Sequence, residues 1–404
     1  NNFGKHLTEA PDHVPDHGDG DGDGDGDGDK SWHSLWFSSG ALSLAIIGDA
    51  LLYVVLPVNA DLFGVSLAWV GILLAANRII RTFTYGLLAV IGERIGIKNL
   101  CILATITAVI STALYALVDG WAALLAARVV WGLSYGALLL VALGYAAADR
   151  SRTGSRVGVS RAIEQVGPLF ALTAGAWLAG IVGPREVFLY LALATCVATL
   201  FALQLPRRVA NVPASKANRL GIFPKPDRLD FLIFWMGFGV DGVFTMTVTI
   251  MLAKYMPLEA AMLLGGLFFA GRRVAEMIVA PLSGAIADRF GVRLPLILSS
   301  LLLVAGFALV GFGWLYTGAA AVVVSRGALG TLIPAAVALF ATGPVLQPLA
   351  RNQTWRDVGA AAGPLSTGFV LALTTPEVLH LCLAVIFLAS LLWLVAAASW
   401  RKLQ

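Results

Sequence analysis

Long apolar stretches separated by short polar segments recur along the whole chain. A run of about 18 or more apolar residues is long enough to cross a bilayer as an α-helix. The pattern predicts twelve such spans, at residues 36–58, 65–91, 100–118, 120–148, 157–182, 186–205, 229–254, 260–287, 294–315, 317–345, 353–374 and 377–399. The alternation of apolar and polar residues that marks a transmembrane strand is missing. We therefore predict an all-α membrane protein.

Polar positions inside the spans repeat at a nearly constant distance. Arg78 and Arg81 lie 195 residues before Arg273 and Glu276. Further matches join Glu93–Lys98 to Asp288–Arg293 at 195 residues, Arg128 to Arg326 at 198, and Gly167-Pro168 to Gly363-Pro364 at 196, while Asp49 and Asp241 occupy similar depths. The order and spacing predict two homologous halves, 36–205 and 229–404, joined by a polar cytoplasmic linker at 206–228.

Charge is sparse and unevenly placed. Charged residues make up 13% and apolar residues 58% of the 404 residues. Residues 1–30 hold nine acidic residues and two lysines, which leaves 26 basic against 15 acidic residues in the rest. The basic residues concentrate in alternate loops, so the positive-inside rule places both termini in the cytoplasm of a bacterial inner (plasma) membrane. Membrane insertion explains this excess better than nucleic-acid binding does.

Several of these motifs resemble the major facilitator superfamily over residues 36–400. The loop Gly284-x3-Asp288-Arg289-x-Gly291-x-Arg293 is similar to the family's signature between the second and third helices of a half, and its first-half copy is degenerate, with Ala89 and Glu93 in place of glycine and aspartate. Arg128 resembles the family's fourth-helix arginine, and Gly167-Pro168 the fifth-helix motif of antiporters. The resemblance implies two six-helix bundles around a central cavity that opens alternately to either side.

The distribution of charges agrees with that architecture. Spans 100–118, 294–315 and 378–399 contain no Asp, Glu, Lys or Arg, and span 186–205 contains only Glu186, at its first position. Lipid cannot solvate charges, so these four helices are expected to face lipid and the other eight to enclose a polar interior.

Arginines dominate the deep charges. Arg78 and Arg81 share a helix face, and guanidinium groups bind carboxylates and phosphates through paired hydrogen bonds. We expect an anionic substrate to be bound by residues from both halves: Arg78, Arg81, Asn77, Asp49, Tyr53, Asp241, Arg272 and Arg273. The alternative is an internal network of salt bridges, in which Arg273 pairs with Glu276. Six deep arginines against four deep acids leave +2, which favours an anionic or zwitterionic substrate.

Buried carboxylates are candidate proton carriers, because burial favours their neutral form unless a cation is close. The candidates for proton coupling are Asp49, Asp241, Glu164, Glu276 and, by the family resemblance, Arg128. The alternative is that each acid is the permanently ionised partner of an arginine. We expect a proton or other ion gradient to drive transport, with no cofactor.

Charged residues at the cytoplasmic ends of the spans are the expected gate. They are Glu93, Arg94, Asp288, Arg289, Arg293, Arg356 and Asp357. The last two are expected to form a latch with Asp288 and Arg289 across the halves.

The acidic tail, residues 1–35, is rich in His, Asp and Gly, and its composition predicts disorder. His13 and His17 are weak metal-ligand candidates. A calcium loop beginning at Asp19 lacks the required acid, because Lys30 occupies its twelfth position.

The sequence thus favours a monomeric, proton-coupled exporter of a small anionic or amphiphilic organic compound. The alternatives are uptake by proton symport, and transport of metal ions or chelates with the tail as a collector. A membrane receptor or enzyme is disfavoured, since no nucleophile–base set or phosphate loop is present.

Overall fold

The computed structural model describes residues 24–207 and 224–397, without the side chains of residues 24–31, 67–68, 258–259 and 262–263. Its described α-helices are α1 (Gly24–Val58), α2 (Leu67–Ile95), α3 (Ile97–Leu117), α4 (Trp121–Ala146), α5 (Thr153–Phe170), α6 (Ala176–Val182), α7 (Val187–Leu203), α8 (Arg228–Met236), α9 (Thr245–Leu252), α10 (Leu258–Phe290), α11 (Arg293–Gly311), α12 (Leu315–Phe340), α13 (Leu346–Val370) and α14 (Pro376–Val395). Residues 1–23 of the acidic tail and residues 208–223 of the predicted linker lie outside the described residues. Residues 24–35, predicted to be disordered, instead form the first part of α1.

Two π-helical segments and one 3-10 turn complete the described helices. The π-helical segments Ala171–Gly175 and Gly237–Phe244 join α5 to α6 and α8 to α9 without a break. The 3-10 turn Ala60–Phe63 follows α1. The first π-helical segment comes three residues after Pro168, which lacks the N–H needed for regular α-helical bonding.

Nine of the described helical segments are long and apolar enough to cross a membrane. Another, α7, is apolar but has only 17 residues. The remaining two, α10 and α13, carry the charges of Arg272–Glu276 and Arg356–Asp357. An all-α membrane protein is confirmed. Twelve spans, and the domain boundaries around the linker, stay predictions.

The repeated loop motif has the same backbone geometry in both halves. Gly96, between α2 and α3, has φ 89° and ψ 145°, and Gly291, between α10 and α11, has φ 81° and ψ 150°. This region of backbone space is almost restricted to glycine. The glycine of the motif is therefore needed to reverse the chain between two antiparallel helices.

Helices of one half pack mainly against each other. In the first half α1 contacts α4, α5 and α7, while α3 contacts α4 and α7; in the second half α13 contacts α8 and the π-helical segment before α9, while α11 contacts α12 and α14. The halves meet through α5 with α10 and α12, and through α13 with α2 and α4. These cross-contacts define the interface between the halves.

The halves touch at one end of the bundle, which we name the basic face: the end with the loops between α2 and α3, α4 and α5, and α10 and α11. There α5 and α10 approach backbone to backbone, since a Cβ added to Gly154 would lie 2.5 Å from the Gly284 carbonyl oxygen. Toward the opposite face, 171–182 and α9 contact helices of their own halves. The interface is therefore closed at the basic face and the halves diverge away from it.

Candidate functional site

A cavity of about 560 Å³ lies between the two halves. Its lining comes from α1, α2, α4, α5, α8, α9, α10, α12, α13 and the π-helical segments, and none of the lining residues belongs to α3, α7, α11 or α14. The charged lining residues are Arg78, Arg81, Arg161, Arg272, Arg273, Arg326, Arg356, Asp49, Glu164, Asp241, Glu276 and Asp357. Seven arginines against five carboxylates give the lining a formal charge of +2.

The first-half carboxylate, Asp49 on α1, is bound by Arg128 of α4. The Arg128 Nη1 atom donates a hydrogen bond to Asp49, and the fully buried guanidinium also donates to the Leu73 carbonyl oxygen at 2.8 Å and to that of Leu74 at 3.2 Å. Asn77 Nδ2 donates to the same Asp49 oxygen at 3.4 Å. One cation and one neutral amide thus hold Asp49.

The second half repeats this arrangement around Asp241. Arg326 of α12 donates to both carboxylate oxygens, at 3.1 and 3.2 Å, and Arg272 of α10 donates at 3.3 Å. Arg326 corresponds to Arg128 in the repeat, and Arg272 corresponds to Asn77 at the 195-residue offset. At these equivalent positions, Asp241 is therefore bound by a second cation, Arg272, whereas Asp49 is bound by the neutral amide of Asn77.

One ion pair in the cavity joins the two halves. Arg81 Nε on α2 donates to Asp357 Oδ2 on α13 at 2.8 Å, and the Tyr85 hydroxyl donates to the same oxygen at 3.1 Å. The Arg81 guanidinium also lies over the Tyr135 ring, 4.4 Å from its centroid. Because Arg81 and Asp357 are both almost fully buried, separating the halves here would leave two uncompensated charges.

A second polar contact joins the halves through α5 and α10. Arg273 Nη1 donates to Gln165 Oε1 at 2.6 Å. The neighbouring Glu164 accepts hydrogen bonds from Arg161 at 2.8 Å and from the Tyr135 hydroxyl at 3.0 Å. Glu164 is thus neutralised within its own helix, whereas among the described residues Arg273 donates to the neutral amide of Gln165 and pairs with no carboxylate.

Two guanidinium groups of the cavity make no ion pair with any described residue: those of Arg78 and Arg273. Both are half-buried and line the cavity. They occupy equivalent positions of the two repeats. Each other arginine of the lining lies within 4.0 Å of a carboxylate oxygen.

This architecture agrees with the family comparison. The sequence model of the Major Facilitator Superfamily matches residues 39–274, which is more than half of the 404 residues. The chain belongs to the major facilitator superfamily. It is accordingly a transporter and not an enzyme. No curated protein sequence matches this member of the superfamily.

Solved transporter structures share the fold at low sequence identity. The human organic anion transporter MFSD10 (TETRAN) has a TM-score of 0.70 and 18% identity, covering 90% of this chain and 99% of that one. The E. coli fucose:proton symporter FucP has a TM-score of 0.73 and 12% identity, covering 92% and 98%. The proton:xylose symporter XylE has a TM-score of 0.73 and 13% identity, covering 91% and 95%. The predicted superfamily fold is confirmed.

In this superfamily member the signature loop residue Asp288 crosses to the other half. Its carboxylate accepts hydrogen bonds from the backbone N–H groups of Gly154 at 2.7 Å and Ser155 at 2.8 Å, in the first turn of α5. Negative charge at a helix N-terminus is stabilised by the helix dipole. Its first-half counterpart, Glu93, accepts instead from the Gln347 side chain at 2.8 Å. The degenerate copy thus makes a weaker version of the contact.

The other predicted gate residues lie at the same face. Arg94 and Arg289 are exposed, and Arg293 is half-buried at the start of α11. The loop between α4 and α5 is ordered by Ser151, whose hydroxyl and backbone N–H donate to Asp149 and lower the pKa of that carboxyl group.

Two predicted pairings are corrected by the structure. Arg356 and Asp357 form no latch with Asp288 and Arg289, because they lie ten or more residues inside α13 and face the cavity, where Asp357 binds Arg81. Their gating role stays a prediction, now at the cavity rather than at the loops.

The second correction concerns α10. Glu276 lies 3.6 Å from Arg272 and not beside Arg273. Both spacings, three and four residues, share a helix face, and the rotation of α10 toward Asp241 selects Arg272.

The cavity residues that were not assigned to the site from the sequence include Tyr135, Arg161, Gln165 and Arg326. Gln165 follows Glu164 and precedes the Gly167-Pro168 motif, so its position in a polar stretch of an apolar span was the available indication. The described residues contain no group of three or more potential metal ligands. His13 and His17 lie outside them, so metal binding by the tail stays a prediction.

Proposed function

We propose that this protein is a proton-coupled exporter of a small anionic organic compound. Transport proceeds by alternating access, with the cavity exposed in turn to the two sides of the membrane. The site residues are those of the cavity, with Arg78 and Arg273 as anion-binding groups, Asp49 as proton carrier, and the basic-face contacts as gate.

The observation that carries the proposal is the pair of cavity arginines, Arg78 and Arg273, that have no carboxylate oxygen of a described residue within 4.0 Å. Guanidinium is charged at every accessible pH, and holding it unpaired in a low-dielectric site is unfavourable. Binding an anionic ligand to Arg78 and Arg273 therefore lowers the free energy by pairing these charges. The other arginines of the cavity are already paired and gain less from an anion. The name of MFSD10, an organic anion transporter, supports the same substrate class.

Asp49 is the best-placed proton carrier. Asp49 is hydrogen-bonded to one cation, Arg128, and to one neutral amide. Asp241 is bonded to two arginines and has the Arg356 guanidinium at 3.9 Å. Fewer cations around a carboxylate make its neutral form less costly. Asp49 also lines the cavity, so protons can reach it from the side to which the cavity is open.

The described conformation is the outward-open one if the basic face is cytoplasmic. The positive-inside rule supports that orientation, with both termini in the cytoplasm of the plasma membrane. Opening the basic face requires breaking the Asp288 contacts to α5, the Glu93–Gln347 bond and the Arg81–Asp357 pair. These contacts are the gate.

Ligand binding tests the substrate class. Purified protein is screened for thermal stabilisation by small anions, cations and neutral compounds, beside Arg78→Gln and, as a matched charge-loss control, Arg207→Gln, which is exposed and outside the cavity. We expect anions to stabilise the wild type and the control, and Arg78→Gln to need at least a tenfold higher anion concentration for the same stabilisation. Equal stabilisation of all three proteins would exclude the anion site.

Coupling and direction need transport measurements. In proteoliposomes, antiport predicts that an anion identified by the screen moves in the direction opposite to the protons, so that an excess of protons inside the vesicles accelerates anion uptake. Without the pH gradient we expect no such acceleration of uptake. Equal rates with and without a pH gradient would exclude proton coupling. FucP and XylE are named as proton symporters, so movement of the anion together with protons would replace export by uptake.

Metal transport remains a candidate because of the acidic tail alone. Deleting residues 1–30 and measuring both metal tolerance of cells and anion transport separates the two functions. Unchanged metal tolerance removes the only support for the metal hypothesis. We propose that the protein acts as a monomer, since the complete cavity is built by one chain.

A further inference from the structure

We propose that the substrate carries two separated anionic groups, one bound by Arg78 in the first half and the other by Arg273 in the second. The class that fits is a small dicarboxylate with an apolar spacer. This inference rests on the proposed anion transport and names its substrate class more narrowly.

The pairing pattern of the cavity arginines is the first argument. Arg81, Arg161, Arg272, Arg326 and Arg356 each lie within 4.0 Å of a carboxylate oxygen. The two that do not, Arg78 and Arg273, occupy equivalent positions in the repeats, on α2 and α10. They therefore approach the cavity from opposite halves rather than forming one cluster on a single helix.

The charge balance is the second argument. The lining has seven arginines and five carboxylates, and Arg128, which lies behind the lining, pairs with Asp49. Counting Arg128, eight arginines against five carboxylates leave a surplus of three positive charges. A monoanion would neutralise one of the unpaired guanidinium groups and leave the other desolvated, which is costly for a charge. A dianion neutralises both and does not exceed the surplus, which becomes four if Asp49 takes up a proton.

The hydrogen-bonding capacity of the two arginines is the third argument. A guanidinium has five N–H donors. Arg273 uses one of them on Gln165, at 2.6 Å, which is a neutral partner. Arg78 has no side-chain hydrogen bond to a described residue. Each group therefore retains the fork of donors that binds one carboxylate bidentately.

The cavity lining also contains apolar residues. They come from three helical elements: Ile46, Ala50, Leu172, Phe269 and Ala270. A hydrocarbon spacer gains free energy by contacting such side chains. The expected ligand is therefore a diacid with a short aliphatic or aromatic spacer.

The test compares acids that differ only in the second charge. Binding of butanoate, hexanoate and octanoate is measured against butanedioate, hexanedioate and octanedioate at pH 7, by calorimetry on the intact protein in detergent. For the diacid of best length we expect at least a tenfold lower Kd than for the monoacid of equal length, because a second charge-assisted contact is gained.

Variants decide which groups bind the second carboxylate. In Arg78→Gln and in Arg273→Gln we expect the diacid preference to fall to about one, while the exposed-site control Arg207→Gln keeps it. Arg78→Lys and Arg273→Lys retain the charge without the planar fork, and we expect an intermediate preference. Helicity and elution volume confirm that each variant is folded, and the lysine variants carry the comparison if a glutamine variant does not fold.

The outcomes separate this inference from the proposed function. Equal binding of monoacids and diacids by the wild type, with loss in Arg78→Gln, overturns the two-anion substrate and keeps the anion transporter. A diacid preference that survives in either glutamine variant also overturns it, because another group then binds the second charge. Failure of every anion to bind overturns both.

Discussion

Replacing Asp357 with asparagine removes the acidic member of the ion pair that joins the halves in the cavity. Asp357 accepts from Arg81 at 2.8 Å and from the Tyr85 hydroxyl at 3.1 Å, and both donors lie on α2 of the other half. The substituted side chain keeps the shape and one acceptor oxygen but leaves the Arg81 charge uncompensated. The change acts on the interface between the halves rather than within one half.

The expected shift in conformation follows from the burial of the pair. The Arg81 and Asp357 side chains are 9% and 4% exposed. Removing one partner of a buried pair costs about 3–5 kcal/mol, and this cost falls on the conformation in which the pair is formed. A change of about 3 kcal/mol corresponds to a more than hundredfold change in the equilibrium constant between the two conformations. A population of about 99:1 in favour of the described conformation would become about 1:1.

Distances between spin labels measure this shift. Labels at Ser151 and Phe290 report on the basic face, and labels at Leu62 and Tyr255 report on the opposite face; all four residues are exposed and each pair has one member in each half. The exposed native cysteines are replaced first. We expect Asp357→Asn to add a longer distance at the basic face and a shorter one at the opposite face.

A matched control separates this effect from the general cost of losing an ion pair. Asp230 is buried and paired with Arg351 at 2.5 Å, and both belong to the second half. Asp230→Asn should lower stability without changing either distance distribution. If Asp357→Asn leaves both distributions unchanged, or if Asp230→Asn changes them as much, the Arg81–Asp357 pair does not hold the halves together.

Two further substitutions test the packing and the proton site. Gly167→Ala should lower the unfolding free energy by about 1–3 kcal/mol, because the new Cβ would lie 1.9 Å from the Ser43 carbonyl oxygen. The control is Gly180→Ala on the same continuous helix, whose new Cβ meets no atom within 4 Å. Equal melting temperatures of the two variants would contradict this expectation. Asn77→Arg should abolish dependence of transport on a pH gradient by copying the doubly bonded arrangement of the other half, and Arg272→Asn should not; retained dependence in Asn77→Arg would exclude this proton site.

The sequence carried enough information for the fold because membrane helices obey strong local rules. Apolar length identified the spans, and the glycines of the repeated loop, Gly96 and Gly291, mark where the chain must reverse. The segregation of charges away from four spans predicted which helices line the cavity, and none of the cavity residues comes from α3, α7, α11 or α14. Helix ends were less predictable, since α1 is described from Gly24 rather than from residue 36.

The partners inside the cavity were less predictable than the residues. Helical spacing shows which side chains share a face, but the partner of Arg81 lies 276 residues away and depends on how α2 meets α13. On α10, Arg272 and Arg273 differ by about 100° in direction, and only the packing of that helix decides which one reaches Asp241. Depth in the bilayer is a local property of the sequence, whereas pairing is a property of tertiary structure.

The asymmetry between the halves bears on how the transporter can be coupled. The acids of the second half that surround Arg272 find cations within that half, so the network around Asp241 and Glu276 can survive a rigid-body movement. Arg81 differs, because its acidic partner among the described residues belongs to the other half. Opening the basic face therefore exposes two opposite charges that need new counter-charges. Under the proposed function, a substrate anion beside Arg78 neutralises Arg81, while Asp49 carries the proton. The separation that opens the gate thus creates a demand for an anion, which gives a physical reason to link substrate binding to the conformational change.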